Sequence, residues 1–173
     1  MKIGIQLQSI IVLTVVCLVW GGLLAVVYDI TKESIERAEN AEINAILSQI
    51  FLGGQFVKEN DYFKCSENGR LVGYAMITTG KGYGGEIKVI VGIGLDNRVV
   101  GVRVLSQSET IGVGSRITEN WFLSQFNGKA LEDLQLKKNG GTIDAITGAT
   151  ISSNAFTNAV HDGVQILIER TGG

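Results

Sequence analysis

The chain has 173 residues, 45% of them hydrophobic, and a formal charge of −2; this is room for one modest soluble domain plus an anchor. The weakly acidic balance leaves no basic footprint for nucleic acid. A single His and two Cys at unrelated positions, Cys17 and Cys65, exclude a disulfide framework, a metal-ligand cluster and a Ser–His–Asp arrangement.

No charge occurs between Lys2 and Asp29, and residues 10–27 read IIVLTVVCLVWGGLLAVV. As a helix this run spans about 27 Å, close to the ~30 Å hydrocarbon core of a bilayer. Tyr28 sits at its edge, where an aromatic anchor is favoured. Asp29, Lys32 and Glu33 follow directly, without the small-x-small site of a cleaved signal peptide, so a retained anchor is expected. Thr14-Val15-Val16-Cys17 lacks the small residue that precedes a lipidated Cys, and Cys17 reads as a small hydrophobe. Lys2 and the amino terminus predict a cytoplasmic N-terminus and a domain outside the cytoplasm, held at the plasma membrane.

Residues 29–51 read as a helix, with Ile35, Ala38, Ile46, Leu47, Ile50 and Phe51 keeping a helical stripe. It either continues the membrane helix or runs separately as a stalk, and Gly53-Gly54 ends it. The period then changes. Residues 71–79 are rich in strand formers, and Ile87, Val89, Val91 and Ile93 alternate as in a half-buried strand. Leu95-Asp96-Asn97-Arg98 predicts a turn, after which Val100, Val102 and Val104 alternate in the returning strand. Residues 118–126 predict a short helix with Thr118 as N-cap, Trp121 and Phe122 turned inward, and Gly128 beyond its end. Ser152 or Ser153 is expected to cap a last helix reaching about Arg170, with Ala155, Ala159, Val160, Val164 and Leu167 on its apolar side. Strands with helices at both ends and no βαβ repeat predict an α+β domain with an antiparallel sheet. The expected organisation is a transmembrane segment over residues 1–28, an amphipathic helix over 29–52 and one domain over 53–173.

Two stretches carry chemistry. Gly80-Lys81-Gly82-Tyr83-Gly84-Gly85 fits G-x-G-x-x-G by letter, but a strand rather than a helix follows it, so a dinucleotide site is not expected. It is either a Gly turn or a loop that admits a flat ligand beside Tyr83. Asp144-Ala145-Ile146-Thr147-Gly148-Ala149-Thr150 places two hydroxyls among small residues just before an apolar-faced helix. This suits a phosphate, with Gly148 allowing close approach and Thr147 and Thr150 donating; on the residues alone an ordinary connection into a capped helix is the favoured reading, because such caps are common. His161, beside Asp162, reads as a surface or structural group, and Lys137-Lys138 as a solvated pair.

Thr147-Gly148-Ala149-Thr150, followed by Ile151-Ser152-Ser153, resembles the flavinylation motif of covalent-FMN domains. The resemblance extends to Gly82-Tyr83-Gly84-Gly85, to Val100-Gly101-Val102-Arg103-Val104-Leu105, to the loop Ser108-Glu109-Thr110-Ile111-Gly112-Val113-Gly114, and to Trp121 and Phe126-Asn127-Gly128-Lys129. With the anchor it covers nearly the whole chain. It is nearest to the G subunit of the Rnf electron-transport complex and next to the C subunit of the sodium-pumping NADH:quinone reductase. Ile111 stands where the family has Pro, Ile151-Ser152 departs from the familiar hydroxyl spacing, and the domain is short.

The resemblance implies FMN joined through its phosphate to Thr150 by a separate flavin transferase. Thr147, Gly148, Ala149, Glu109, Thr110 and Tyr83 would line the site. It implies a redox subunit that relays electrons between other subunits of an ion-translocating ferredoxin:NAD oxidoreductase and binds no diffusible substrate. The rival readings are a component like the C subunit of the quinone reductase, and a membrane-tethered assembly module without a cofactor.

Overall fold

A computed structural model describes the backbone of residues 2–172 and the side chains of residues 9–172. One helix, α1, runs unbroken over Lys2–Ile50. No Pro interrupts it, and the hydroxyls of Thr14 and Thr31 donate back to the carbonyls of Ile10 and Val27 at 2.9 and 2.7 Å. That back-bonding hides a polar atom along an apolar helix. Past the apolar run, Lys32–Glu36 and Glu33–Arg37 pair one turn apart, as exposed helical surface favours. The segment is long and apolar enough to cross a membrane. The amino terminus and the Lys2 side chain, on which the expected orientation rests, lie outside the described residues.

The chain divides into two compact units, Met1–Glu42 and Ile43–Gly173. α1 passes through residue 28 without a break, so the stretch after it continues the membrane helix, and it stops at Ile50, just before Gly53-Gly54.

In the second unit, strands β1 (Gln55–Glu59), β2 (Tyr62–Glu67), β3 (Arg70–Lys81), β4 (Glu86–Gly94) and β5 (Val99–Gln107) form one five-stranded antiparallel sheet in sequential order. The expected hairpin is β4–β5: Gly94 N–H donates to Arg98 O at 2.9 Å, and Asn97 takes the left-handed conformation in the turn. β1 and β2 were not expected from the alternation. β4 is not half-buried, because the sheet is covered on both faces. On one face lie Ile87, Val89, Val91 and Ile93 with the last helix, α3 (Thr150–Thr171), and the short α2 (Asn120–Leu123). On the other, Ile43, Leu47, Ile50 and Phe51 close over Phe63, Cys65, Ala75 and Ile90. Glycines permit this second contact: a Cβ at Gly92 would sit 2.7 Å from the Phe51 ring and 2.8 Å from Ile50.

Residues 118–126 do not form one capped helix. A 3-10 turn over Gly114–Thr118, α2 and a second 3-10 turn over Ser124–Phe126 follow one another. The Thr118 hydroxyl donates back to Ser115 O instead of capping. Phe122 is buried as expected, but Trp121 is 44% exposed. Its indole N–H donates to Glu119, and the Arg116 guanidinium lies 5.9 Å from its ring. These polar partners hold Trp121 at the surface. Arg116, bonded at 3.1 Å, and then Trp121 keep the Glu119 carboxyl below the usual carboxylate range.

Cys65 is fully buried between α1 and the sheet, and burial pushes its thiol up to about 12. At pH 8 the folded chain therefore presents almost no thiolate here, and the thiolate is the nucleophile. In a Cys17→Ser background, Cys65 is expected to resist a colorimetric thiol reagent at pH 8 until denaturant unfolds the unit. Rapid labelling without denaturant would contradict this burial.

Candidate functional site

The hydroxyl-bearing stretch before α3 is a tight turn. Gly148 has φ +82°, a conformation that favours glycine, and Ala149 N–H closes on Ile146 O at 3.0 Å. Ser153 secures it from within the helix: its Oγ accepts from Ile146 N–H at 3.0 Å and donates to Ala149 O at 2.9 Å. Neither Ser152 nor Ser153 is the N-cap. The helix begins at Thr150, Ala149 occupies the cap position without a side-chain bond, and the two serines fall inside the first turn.

Ser152 has a different task. Its hydroxyl bonds Glu109 Oε2, and Gly84 N–H donates to Glu109 Oε1 at 2.9 Å. Glu109 is only 6% exposed and forms no ion pair among the described residues. This carboxylate ties three segments together: the glycine loop, the loop after β5 and the first turn of α3. The loop glycines make room for it. A Cβ at Gly82 would collide with the Glu109 carboxylate, and one at Gly114 would stand 2.7 Å from Oε2. One at Gly80 would strike the Ala155 carbonyl of α3. The glycine-rich stretch is thus a strand-to-strand turn that also admits close approach, with the approaching groups supplied by the protein.

Beside this clamp opens a cavity of about 360 Å³. Tyr83 contributes from the glycine loop, Glu109, Thr110, Val113 and Gly114 from the loop after β5, and Gly148, Ala149, Thr150, Ile151 and Ser152 from the turn into α3. The structure therefore brings together Tyr83, Glu109, Thr110, Gly148, Ala149 and Thr150 from the residues singled out in the sequence. Thr147 is exposed and outside the lining. Val113, Gly114, Ile151 and Ser152 were not expected to line the site; a hydroxyl two residues past Thr150 and a glycine five past Glu109 were the available signals.

The loop with Ile111 in place of Pro holds its shape through backbone bonds, Val113 N–H and Ser115 N–H both converging on Thr110 O at 3.3 and 3.2 Å. Ser115 Oγ also accepts from Gly112 N–H at 2.9 Å. His161 contacts Asp162 at 3.3 Å on the outer part of α3 and takes no part in the cavity. Lys137 is not merely solvated: it pairs with Asp144 at 2.7 Å. No metal-ligand cluster occurs among the described residues.

The cavity falls in the size range of small-molecule sites. Its walls suit a flat conjugated ring: Val113, Ile151 and the Tyr83 ring are apolar, and Gly114 and Gly148 add no side chain. Thr150, exposed at the edge, offers a hydroxyl. These residues fit a flat ring such as a flavin, with the Thr150 hydroxyl exposed beside it.

Comparison with known proteins is consistent with this geometry. Residues 82–165 match the FMN-binding domain and residues 6–50 the RnfG N-terminal region. The chain is 33% identical to the G subunit of the ion-translocating oxidoreductase complex of Vibrio cholerae, covering 91% of this chain and 88% of that one. With the protein of the same name from Methanosarcina acetivorans the identity is 31%, over 95% and 96%. With the G subunit of the proton-translocating ferredoxin:NAD(+) oxidoreductase complex of Clostridium ljungdahlii it is 29%, over 93% and 91%. Two crystal structures share the fold. The C subunit of the Na(+)-translocating NADH-quinone reductase from Parabacteroides distasonis matches with a TM-score of 0.51 and 23% identity, over 60% of this chain and 58% of that one, less than two thirds of its length. NqrC of Shewanella oneidensis matches with a TM-score of 0.56 and 24% identity, over 69% of each. On the identity and coverage of these relatives, the chain belongs to the G-subunit family of ion-translocating oxidoreductase complexes.

Proposed function

We propose that this chain is the electron-carrying subunit of a membrane-bound ion-translocating ferredoxin:NAD oxidoreductase, with FMN joined covalently to Thr150. The observation that carries the reading is the position of the exposed Thr150 hydroxyl on an apolar-walled cavity that a buried carboxylate, Glu109, also lines. When bound, the isoalloxazine ring supplies one- and two-electron transfer.

The chain's own residues bind, orient and anchor. Thr150 would hold the group through its side-chain oxygen as a phosphoester. A separate flavin transferase provides the catalysis, moving the flavin phosphoryl group from a donor whose leaving group departs as the hydroxyl loses its proton; the product has the mass of the chain plus FMN minus water. Ser153 and Gly148 hold the turn that presents Thr150. Val113, Ile151 and Tyr83 would pack against the ring, and the Glu109 carboxylate lines the same cavity. α1 keeps the site within reach of the other subunits, and a covalent tether suits a domain outside the cytoplasm, where a dissociated flavin would be lost. Membership in the quinone-reductase complex is the second reading, supported by the fold shared with its C subunit.

Intact mass of the full chain, purified from membranes of cells that supply a flavin transferase, is expected to exceed the sequence mass by FMN minus water. Thr150→Ala is expected to abolish the increment and Thr150→Ser to keep it. A native chain at its bare sequence mass would defeat the proposal and favour an assembly module without cofactor.

A further inference from the structure

Thr150 borders a second cavity. Adjoining the ring site, with which it shares Thr150 and Ile151, lies a niche of about 220 Å³ lined also by Lys81, Lys138, Asn154, Ala155 and Asn158. We propose that this niche is the phosphoryl-binding half of the flavin site, and that Lys81 and Lys138 hold the negative charge of the phosphoester on Thr150. The inference rests on Thr150 being the attachment residue and adds the chain's own groups that receive the phosphate.

Two independent tethers bring the lysines there. The end of β3 lies directly on α3: the Thr78 hydroxyl donates to Ala159 O at 2.9 Å, and Gly80 meets the Ala155 carbonyl with no room for a side chain. Lys81, the next residue, is thereby set beside the first turns of α3. Lys138 arrives on the 3-10 turn Lys137–Asn139. Its two neighbours fasten that turn, Lys137 to Asp144 at 2.7 Å and Asn139 Nδ2 to Asn154 Oδ1 at 3.3 Å. Lys138 between them is left facing the niche.

The charges are available. Neither Lys81 nor Lys138 has an ion pair or side-chain hydrogen bond among the described residues, whereas Lys137 and Lys64 each have a carboxylate within 2.8 Å. Glu86 is the cross-strand partner of Lys81, yet the two make no ion pair. No acid lines the niche, and the ring-site cavity carries no cation. A phosphodiester on Thr150 would thus border both the niche that holds the two cationic side chains and the cavity that holds the apolar walls. Lysine is a flexible point charge suited to a phosphoryl oxygen, and the amides of Asn154 and Asn158 add neutral donors.

The test uses full-length chain in detergent, a flavin transferase with its flavin donor, and intact mass against time. The double variant Lys81→Gln/Lys138→Gln is expected to acquire FMN about tenfold more slowly than the wild type, as loss of charge-assisted contacts predicts. Lys81→Arg/Lys138→Arg is expected to label near the wild-type rate. Lysines that merely docked the transferase would leave the finished product unaffected, so the labelled chains are then compared by ³¹P NMR. The phosphorus resonance is expected to move in the Gln variant towards its position in denatured labelled chain, and to stay put in a Lys88→Gln control. Equal labelling rates, or an unmoved resonance in the Gln variant, would overturn the niche while leaving attachment at Thr150 intact. A wild-type chain that gains no FMN mass would instead defeat the attachment itself, and the niche with it.

Discussion

Phe156→Ala is expected to destabilise the soluble unit by about 3–5 kcal/mol, read as a shifted urea midpoint with little change in slope. Phe156 is fully buried on α3. Its ring meets Phe122 and Phe126 edge-on at 5.4 and 5.3 Å, and those two meet each other at 5.5 Å. The triangle fastens α3 to the chain between β5 and the helix, so truncation removes both burial and edge-to-face contacts. Typical domain stability is only about 5–15 kcal/mol, and the variant should begin to unfold near physiological temperature. Phe156 lines neither cavity. Any loss of flavin loading in Phe156→Ala should therefore track the unfolded fraction and recover on cooling. A midpoint that barely moved would mean the three rings are not a cooperative part of the core.

The strand pair β4–β5 was legible because its apolar residues alternate and a Leu-Asp-Asn-Arg turn separates them. α3 was legible for the same kind of reason, at a different period. What alternation could not reveal was the second covered face. Ile90 and Cys65 are buried by Ile43, Leu47, Ile50 and Phe51, and nothing local to β4 announces that a distant helix end will close on it. β1 and β2 escaped notice because β1 is an edge strand with mostly exposed residues, so QFVKE and YFKCSE carry little pattern. One local signal was present: Asn68-Gly69, both with positive φ, is the dipeptide favoured in tight hairpins.

The site was legible in unequal parts. Thr150 and its small neighbours stand together in the chain, so a motif could carry them. Glu109 entered through resemblance alone, and its clamp was invisible: its two side-chain partners lie 25 and 43 residues away. The glycine loop illustrates the same limit. Its letters suggested either a turn or a ligand surface, and the reason for Gly82 proved to be a carboxylate from another loop.

Glu109→Ala is expected to have the larger effect of two substitutions at that clamp. It strands Gly84 N–H and the Ser152 hydroxyl without their acceptor, at about 1–3 kcal/mol for each donor left unsatisfied. It also releases the first turn of α3 from the glycine loop, so FMN acquisition at Thr150 should slow along with the loss of stability. Glu109→Gln keeps the shape and one acceptor oxygen for Gly84, and the Ser152 hydroxyl can rotate to accept from the new amide. Its stability cost should be nearer 1 kcal/mol, and labelling should proceed. What Gln removes is the negative charge at the cavity wall, where no cation compensates it. A carboxylate there opposes the arrival of electrons, and a charge as buried as that of Glu109 is less screened than one in bulk water. The flavin in Glu109→Gln is accordingly expected to show a higher midpoint potential than the wild type by spectroelectrochemical titration at pH 7. Stability and potential thereby separate: a structural clamp alone predicts a destabilised Ala variant and an unchanged potential in Gln, whereas a charge facing the ring predicts that the potential moves while the fold stays nearly as stable.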